Sequence, residues 1–128
     1  METLDRDAIL ALHDEAISKY GGAFGLLNEH QLDAAIQRPL TSFGGVELFP
    51  TVYLKAAALA HSIATTHPFV DGNKRTAYLA AASLLDEEGM CITADGAEIE
   101  ATMMMLVAGE LTLEQFAAWL EAKAVPEP

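Results

Sequence analysis

The chain has 128 residues, a length typical of one domain, and hydrophobic residues make up 52% of it, enough to build a core. Nineteen acidic residues against seven basic ones give a formal net charge of −12. This balance argues against a general nucleic-acid binder, which needs a broad basic face, and against docking on anionic membranes.

The chain also lacks the marks of a secreted or membrane protein. Cys91 is the single cysteine, so no disulfide can form within this sequence, and a reducing cytoplasm fits best. Residues 1–5 lack the basic and then apolar regions of a signal peptide, and the longest apolar stretch, around Ala56–Ala60, is too short to cross a bilayer. We therefore expect a small, acidic, soluble domain in the cytoplasm.

Glycine and proline divide the sequence into segments whose apolar residues recur at helical spacing. Two of these segments begin with a capping pair, Asn28 with Gln31 and Thr112 with Gln115. The predicted helices are, in chain order, Ile9–Tyr20, a segment that follows Asn28 and ends at Pro39, a segment from Thr51 to about Thr66, Asn73 to about Glu88, roughly Ala97–Ala108, and a segment that Thr112 opens and that buries Leu120.

Strand signals are scarce. Met90–Thr93 is a short β-like run with no obvious partner, and residues 125–128 are predicted to fray. The predicted fold is therefore all-α, a compact bundle of about six helices that forms a single domain over residues 1–124. Leu40–Pro50 is the one long connection, and because such loops tend to be functional, we take it as a candidate lid or docking flap.

Residues 67–75 combine several features that point to chemistry. Pro68 disfavours the α region for His67, so the third helix should end there and leave the imidazole at a helix-to-loop corner. Gly72 allows a tight turn, and Asn73 begins the next helix, whose first amides lack intrahelical partners. Such a helix end attracts anions.

The charges of this segment suggest which anion binds. Lys74 and Arg75 lie in the first helical turn, where the helix dipole disfavours cations by a few tenths to ~1 kcal/mol each. A bound phosphate turns this repulsion into attraction. His67 can accept a proton near neutral pH, and Asp71 offers the hard oxygen that Mg²⁺ prefers. Together these groups suggest phosphoryl or nucleotidyl transfer.

The nine residues His67–Arg75, HPFVDGNKR, closely resemble the signature of the Fic/Doc (Fido) family. With lysine at position 74, the motif is similar to the form found in the death-on-curing (Doc) toxin branch. The segments Ala11–Asp14, Ser18–Gly22 and Asn73–Ala77 also look like Doc, and the helical pattern fits along nearly the full length. The resemblance implies the Fic/Doc fold, with ATP as substrate and Mg²⁺ as cofactor.

The same resemblance implies a role for each residue of the motif. His67 would be the general base that takes the proton from a target hydroxyl. Asp71 would hold Mg²⁺ on the nucleotide phosphates, and Phe69 would anchor the motif in the core. The phosphate-binding residues would be Gly72, through the amides near it, Asn73, Lys74 and Arg75.

Doc-like members of the family resemble kinases that pass the γ-phosphate of ATP to a threonine. We therefore expect a toxin that phosphorylates a Thr or Ser hydroxyl of a protein in the translation machinery, with an elongation factor as the expected target. In the AMP-transferring branch the residue at the position of Lys74 is usually glycine, so Lys74 favours the kinase-like branch. The glycine at position 72, in contrast, is the residue found in the AMP-transferring branch. An AMP transferase and a catalytically silent partner-binding module remain as alternatives.

The resemblance also bears on regulation. Many Fic proteins carry an inhibitory helix with Ser or Thr, then Glu four positions later, then Gly or Asn. Ser83 and Glu87 come closest, but Glu88 follows, so the pattern fails. We therefore expect inhibition by a separate small antitoxin whose flexible segment folds into a groove on this domain.

Several of these residues also have purely structural interpretations. Asp71 would serve only as the N-cap of the following helix, and Lys74 or Arg75 would pair with acidic neighbours. We expect His13 to make a structural hydrogen bond and His61 to bond a backbone carbonyl. The three methionines Met103–Met105 are expected in the core, with an adaptable partner groove as the alternative place for one of them.

Overall fold

The computed structural model describes residues 4–128 and contains six α-helices within them, so the predicted all-α fold class is confirmed. In chain order the helices are α1 (Arg6–Tyr20), α2 (Glu29–Gln37), α3 (Val52–Thr66), α4 (Asn73–Glu87), α5 (Gly96–Ala108) and α6 (Leu113–Lys123). In this range none of the helices has the length and hydrophobicity that crossing a bilayer requires. The expectation of no signal peptide rests partly on residues 1–3, which lie outside the described residues.

Side-chain caps explain where several helices begin. The Asn28 carboxamide accepts a hydrogen bond from the Gln31 amide at 3.1 Å, as the spacing predicted. Thr112 and Gln115 form a reciprocal capping box, in which each side chain accepts from the backbone amide of the other. Each cap satisfies an amide that the helix itself leaves unpaired. At the other end of α2, Pro39 lies in a 3-10 turn, Arg38–Leu40.

The core is built around α3. Residues 56–60 of this helix are completely buried, and four of these five residues are alanine. Because alanine adds little bulk, α2, α4, α5 and α6 all pack against α3, and its most extensive partner is α4. The short connection between α3 and α4 carries residues 67–72, so the packing of these two helices fixes where that connection lies.

The consecutive methionines do not share one environment. Met103 is buried, whereas Met104 and Met105 are exposed by 54% and 42%, so the expectation that all three lie in the core is wrong. Successive residues of an α-helix point about 100° apart, so three adjacent side chains cannot all face the same neighbour.

Two small antiparallel sheets complete the fold. Strands β1 (Ser42–Phe43) and β2 (Val46–Glu47) form a hairpin, whereas β3 (Met90–Ile92) pairs with β4 (Ala124–Pro126). The predicted β-like run therefore has a partner after all. The partner is the C-terminal segment that was predicted to fray, and the Glu127 amide donates to the Gly89 carbonyl at 2.9 Å. Because about thirty residues separate the two strands, no local pattern reveals their pairing.

The hairpin occupies the long connection Leu40–Pro50. Its apolar side chains face solvent: Phe43 is 82% exposed and Val46 68% exposed. The buried Lys55 of α3 anchors its base by donating to the Glu47 carboxylate at 3.0 Å and to the Phe49 carbonyl. The role of this segment as a lid or docking flap stays a prediction.

Candidate active site

The corner between α3 and α4 begins at His67, which takes a left-handed backbone conformation with φ 50° and ψ 62°. Among the described residues it is the one non-glycine with positive φ. This conformation costs roughly 1–2 kcal/mol, so neighbouring contacts must hold it. The carbonyl of Pro68 accepts hydrogen bonds from the amides of Leu27 (2.8 Å) and Asn28 (2.9 Å). As a result the His67 side chain stays exposed at the end of α3.

The loop after α1 runs alongside the motif and supports it. Leu26 forms an antiparallel bridge with Phe69, and the Val70 amide donates to the Gly25 carbonyl at 3.0 Å. The Asp71 carboxylate accepts from the Ala23 amide at 3.2 Å. At Gly22 an added Cβ would lie 2.8 Å from Asp71 Oδ2, so this close approach requires glycine.

The buried side chains of Phe69 and His13 support the motif on its core side. Phe69 is 1% exposed, and the imidazole of His13 stacks on it with ring centroids 3.9 Å apart and planes 8° from parallel. His13 Nε2 lies 2.8 Å from the Asp71 carbonyl oxygen. Since a carbonyl can only accept, Nε2 carries the proton and donates it. The structural hydrogen bond expected of His13 is therefore present.

Asn73 uses its whole carboxamide inside the motif. Its Oδ1 accepts from the Phe69 amide at 3.0 Å, and its Nδ2 donates to the Phe69 carbonyl at 2.9 Å. These two bonds close the turn between Phe69 and α4. The backbone amide of Asn73, at the start of α4, is therefore the group that we expect to face an anion, while its carboxamide is bonded to Phe69.

No side chain caps the start of α4. The residue before the helix is Gly72, with φ 75°, and the Asp71 carboxylate bonds the amides of Ala23 and Gly72 instead of those of the helix. The interpretation of Asp71 as only an N-cap is therefore wrong. The first amides of α4 keep their unpaired N–H groups, which is the arrangement that binds anions.

Among the described residues, the two cations of this turn also lack carboxylate partners. Arg6, Lys55 and Lys123 each pair with a carboxylate, but among residues 4–128 neither Lys74 nor Arg75 does, so the interpretation that they pair with acidic neighbours is wrong. Both side chains are exposed. In a chain with nineteen acidic residues, this end of α4 keeps two uncompensated positive charges.

A cavity of about 570 Å³ opens in front of this turn, between α1, α4 and α5. This volume lies in the range of small-molecule sites. His67 and every residue of the motif from Asp71 to Arg75 line the cavity, whereas Phe69 lies in the core. The structure thus brings the sequence-predicted site residues to one place. An apolar wall of the cavity comes from α4 and α5, through Tyr78, Leu79, Ile99, Met103 and Val107.

Comparison with known proteins agrees with this geometry. A family model described as the Fic/DOC family matches residues 3–85, more than half of the chain. The chain belongs to the Fic/Doc family. It is 42% identical over 94 residues to the Toxin Doc of Mycolicibacterium smegmatis, an alignment that covers 73% of this chain and 70% of that protein. It is also 29% identical over 117 residues to the Protein kinase doc of Escherichia phage P1, which covers 91% of each.

Sequence reasoning missed parts of this Fic/Doc site. The ring of Tyr20 lies against Arg75, and α5 contributes Ile99, Glu100 and Met103 to the cavity. The glycine pair after Tyr20 correctly predicted the end of α1, but it did not indicate that this end of the helix contacts Arg75. The α5 wall comes from residues more than twenty positions from the motif, so only the packing of the helices reveals it.

His61, which lies within α3, is outside the cavity lining. Its Nδ1 accepts a hydrogen bond from Arg38 at 2.8 Å, and Arg38 also donates to Ser62 at 2.9 Å. The expectation of a backbone carbonyl partner is therefore wrong. Burial, together with the neighbouring Arg38 guanidinium, lowers the pKa of His61 below its usual value, which favours the neutral ring that accepts this bond.

The Asp71 carboxylate fits the Mg²⁺ that the Fic/Doc family implies. Each of its oxygens accepts one amide hydrogen bond, and a carboxylate has about four lone-pair positions, so room for a cation remains. In residues 4–128 no three His, Cys, Asp or Glu side chains lie close enough to share a metal ion. This suits Mg²⁺, which usually takes one or two carboxylates and completes its shell with water and phosphate.

The bonds of Asn73 lead to a prediction about stability. Replacing Asn73 by alanine should lower the free energy of unfolding by about 1–3 kcal/mol, because the backbone N–H and C=O of the buried Phe69 both lose their hydrogen-bond partner. Urea denaturation followed by circular dichroism measures this change.

The control for this measurement is Asn73→Asp, which keeps an acceptor for the Phe69 amide but loses the donor to the Phe69 carbonyl. We expect the free energy of unfolding of Asn73→Asp to fall between that of the wild type and that of Asn73→Ala. Alanine favours helices, so any propensity effect works against the prediction. A wild-type unfolding midpoint for Asn73→Ala would refute the assigned role.

Proposed function

We propose that this protein transfers the γ-phosphoryl group of ATP to a threonine or serine hydroxyl of a target protein. The observation that carries the proposal is the pair Lys74 and Arg75 at the uncapped start of α4. Among residues 4–128 they have no carboxylate partner, and they line the same cavity as the exposed His67. The name of the phage relative, a protein kinase, supports the same activity.

Each part of the corner has a place in this reaction. The amides at the start of α4, with Lys74 and Arg75, bind the phosphates of ATP and offset their negative charge. Asp71 holds Mg²⁺, which when bound neutralises charge on the phosphates. The core packing of Phe69 and the two bonds of Asn73 keep these groups in fixed positions.

The chemical step needs a base beside the nucleotide, and we assign that role to His67. Its imidazole accepts the proton from the target hydroxyl as that oxygen bonds to the γ-phosphorus. The bond between the γ-phosphorus and the bridging oxygen breaks, and ADP leaves with the electron pair. Because His67 is exposed, a hydroxyl on a separate protein can reach it.

We extend the proposal to the biological role. One relative is named a toxin, which supports the role of a toxin whose partner is a small antitoxin. We further propose that its target lies in the translation machinery, as the resemblance to the Doc branch implies. The apolar wall of the cavity offers a surface on which a flexible antitoxin segment can fold and block the nucleotide.

Two labelled forms of ATP test the proposed reaction. With purified protein, Mg²⁺ and an extract of translation proteins, label should pass to a protein band from γ-labelled ATP and not from α-labelled ATP. His67→Ala should slow this transfer by about 10²- to 10⁴-fold, because the general base is lost.

His30→Ala is the matched control for this assay, because His30 lies exposed on α2, outside the cavity lining, and should leave the rate unchanged. Transfer of the α label would instead identify an AMP transferase. Absence of either label on any protein, with growth inhibition unaffected by His67→Ala, would favour the silent binding module.

Lys74 gives a second test of the reaction type. Lys74→Gly removes one cation from the phosphate site and should slow γ-phosphoryl transfer by about 10- to 100-fold, because one charged contact to the transferred group is lost. Glycine also opens space beside the start of α4, so the ratio of α to γ label on the target should rise.

The control for Lys74 is Lys74→Arg, which keeps the charge and should retain most of the transfer rate. Lys74→Gly with unchanged rates for both labels would show that Lys74 does not contact the nucleotide.

A further inference from the structure

The last residue of α1 lies against the cation at the start of α4. The Cζ atom of Arg75 is 3.7 Å from the centroid of the Tyr20 ring, well inside the distance of about 6 Å at which such contacts are attractive. Both residues line the cavity, and the Tyr20 ring remains 56% exposed. The contact therefore lies at the mouth of the cavity and not in the core.

The geometry of this contact matters because a guanidinium has two kinds of surface. Its flat face is attracted to an aromatic ring, whereas its N–H donors all point outward along the edge. Within residues 4–128 no carboxylate, carbonyl or hydroxyl accepts from the Arg75 guanidinium, so its N–H donors remain available while its Cζ lies over the Tyr20 ring. An edge of this kind suits the paired oxygens of a phosphate.

The Tyr20 ring also offsets the unfavourable position of Arg75. The start of α4 carries the positive end of the helix dipole, which disfavours a cation there. The negative face of the aromatic ring compensates for this in the absence of an anion. Lys19 lies farther away, with its Nζ 5.6 Å from the same centroid, and adds positive charge at this end.

The ring itself stands on a supported element. The Gly21 amide donates to the Ile17 carbonyl at 2.8 Å and ends α1 directly after Tyr20. The following loop is bonded to the motif at Asp71 and Val70, and α1 packs on α4. A side chain that is already held in place loses less conformational freedom when its ligand binds.

We propose that Tyr20 is a positioning residue, whose ring holds the Arg75 guanidinium with its donor edge available to a polyphosphate in the cavity. This inference deepens the proposed function and rests on its nucleotide site. The ring acts through Arg75 and makes no contact with the phosphate.

Binding of inorganic tripolyphosphate, measured by calorimetry, tests the inference without requiring catalysis. Tyr20→Leu removes the ring and should weaken binding about three- to tenfold. Tyr20→Phe keeps the ring and should bind like the wild type. In an Arg75→Ala background, Tyr20→Leu should have no further effect, because the residue through which the ring acts is gone.

Three results would overturn this role of Tyr20. Equal weakening by Tyr20→Phe and Tyr20→Leu would assign the effect to the hydroxyl. An undiminished effect of Tyr20→Leu in the Arg75→Ala background would assign it to the fold in general. Failure of the wild-type protein to bind tripolyphosphate would remove the anion site itself.

The γ-label assay keeps this inference distinguishable from the proposed function. Ring-dependent binding of tripolyphosphate without γ-label transfer would refute the phosphoryl transfer and leave the role of Tyr20 standing. If γ label is transferred but tripolyphosphate affinity does not depend on Tyr20, the role of Tyr20 is refuted and the phosphoryl transfer stands.

Discussion

The candidate site depends on two cations at the start of α4 that have no carboxylate partner in the described part of the chain. Lys74 and Arg75 lie at the positive end of α4, where the helix dipole and their mutual repulsion both disfavour them. Acidic residues outnumber basic ones by nineteen to seven, yet within residues 4–128 neither cation has a carboxylate partner. A bound anion would relieve both penalties at once, which is why we propose this turn as the phosphate site.

The rest of the corner supplies rigidity. The left-handed conformation at His67 is held by two amide bonds to Pro68, and the turn beyond it is closed by the two bonds of Asn73 to Phe69. His13 fixes the Asp71 carbonyl from the buried side. These contacts hold the His67 imidazole, the Asp71 carboxylate and the start of α4 around one cavity, and such preorganisation is what the proposed phosphoryl transfer requires of a protein.

The sequence predicts the parts of this structure that depend on near neighbours in the chain. Capping pairs such as Thr112 with Gln115 place helix ends, and Pro68 predicts that His67 leaves the helix. The sequence does not predict contacts that arise when distant segments pack, such as the pairing of β3 with β4 or the contact of the Tyr20 ring with Arg75. The role of Asn73 was missed because an asparagine at a helix start suits a ligand contact and a loop contact equally well.

A crystal structure with Mg²⁺ and a non-hydrolysable ATP analogue tests the central claim most directly. We expect phosphate oxygens within hydrogen-bond distance of the amides that begin α4 and of the Lys74 and Arg75 side chains, with the metal ion on Asp71. Packed side chains that fill this corner, or a nucleotide bound at another surface while these cations contact only solvent, would contradict it.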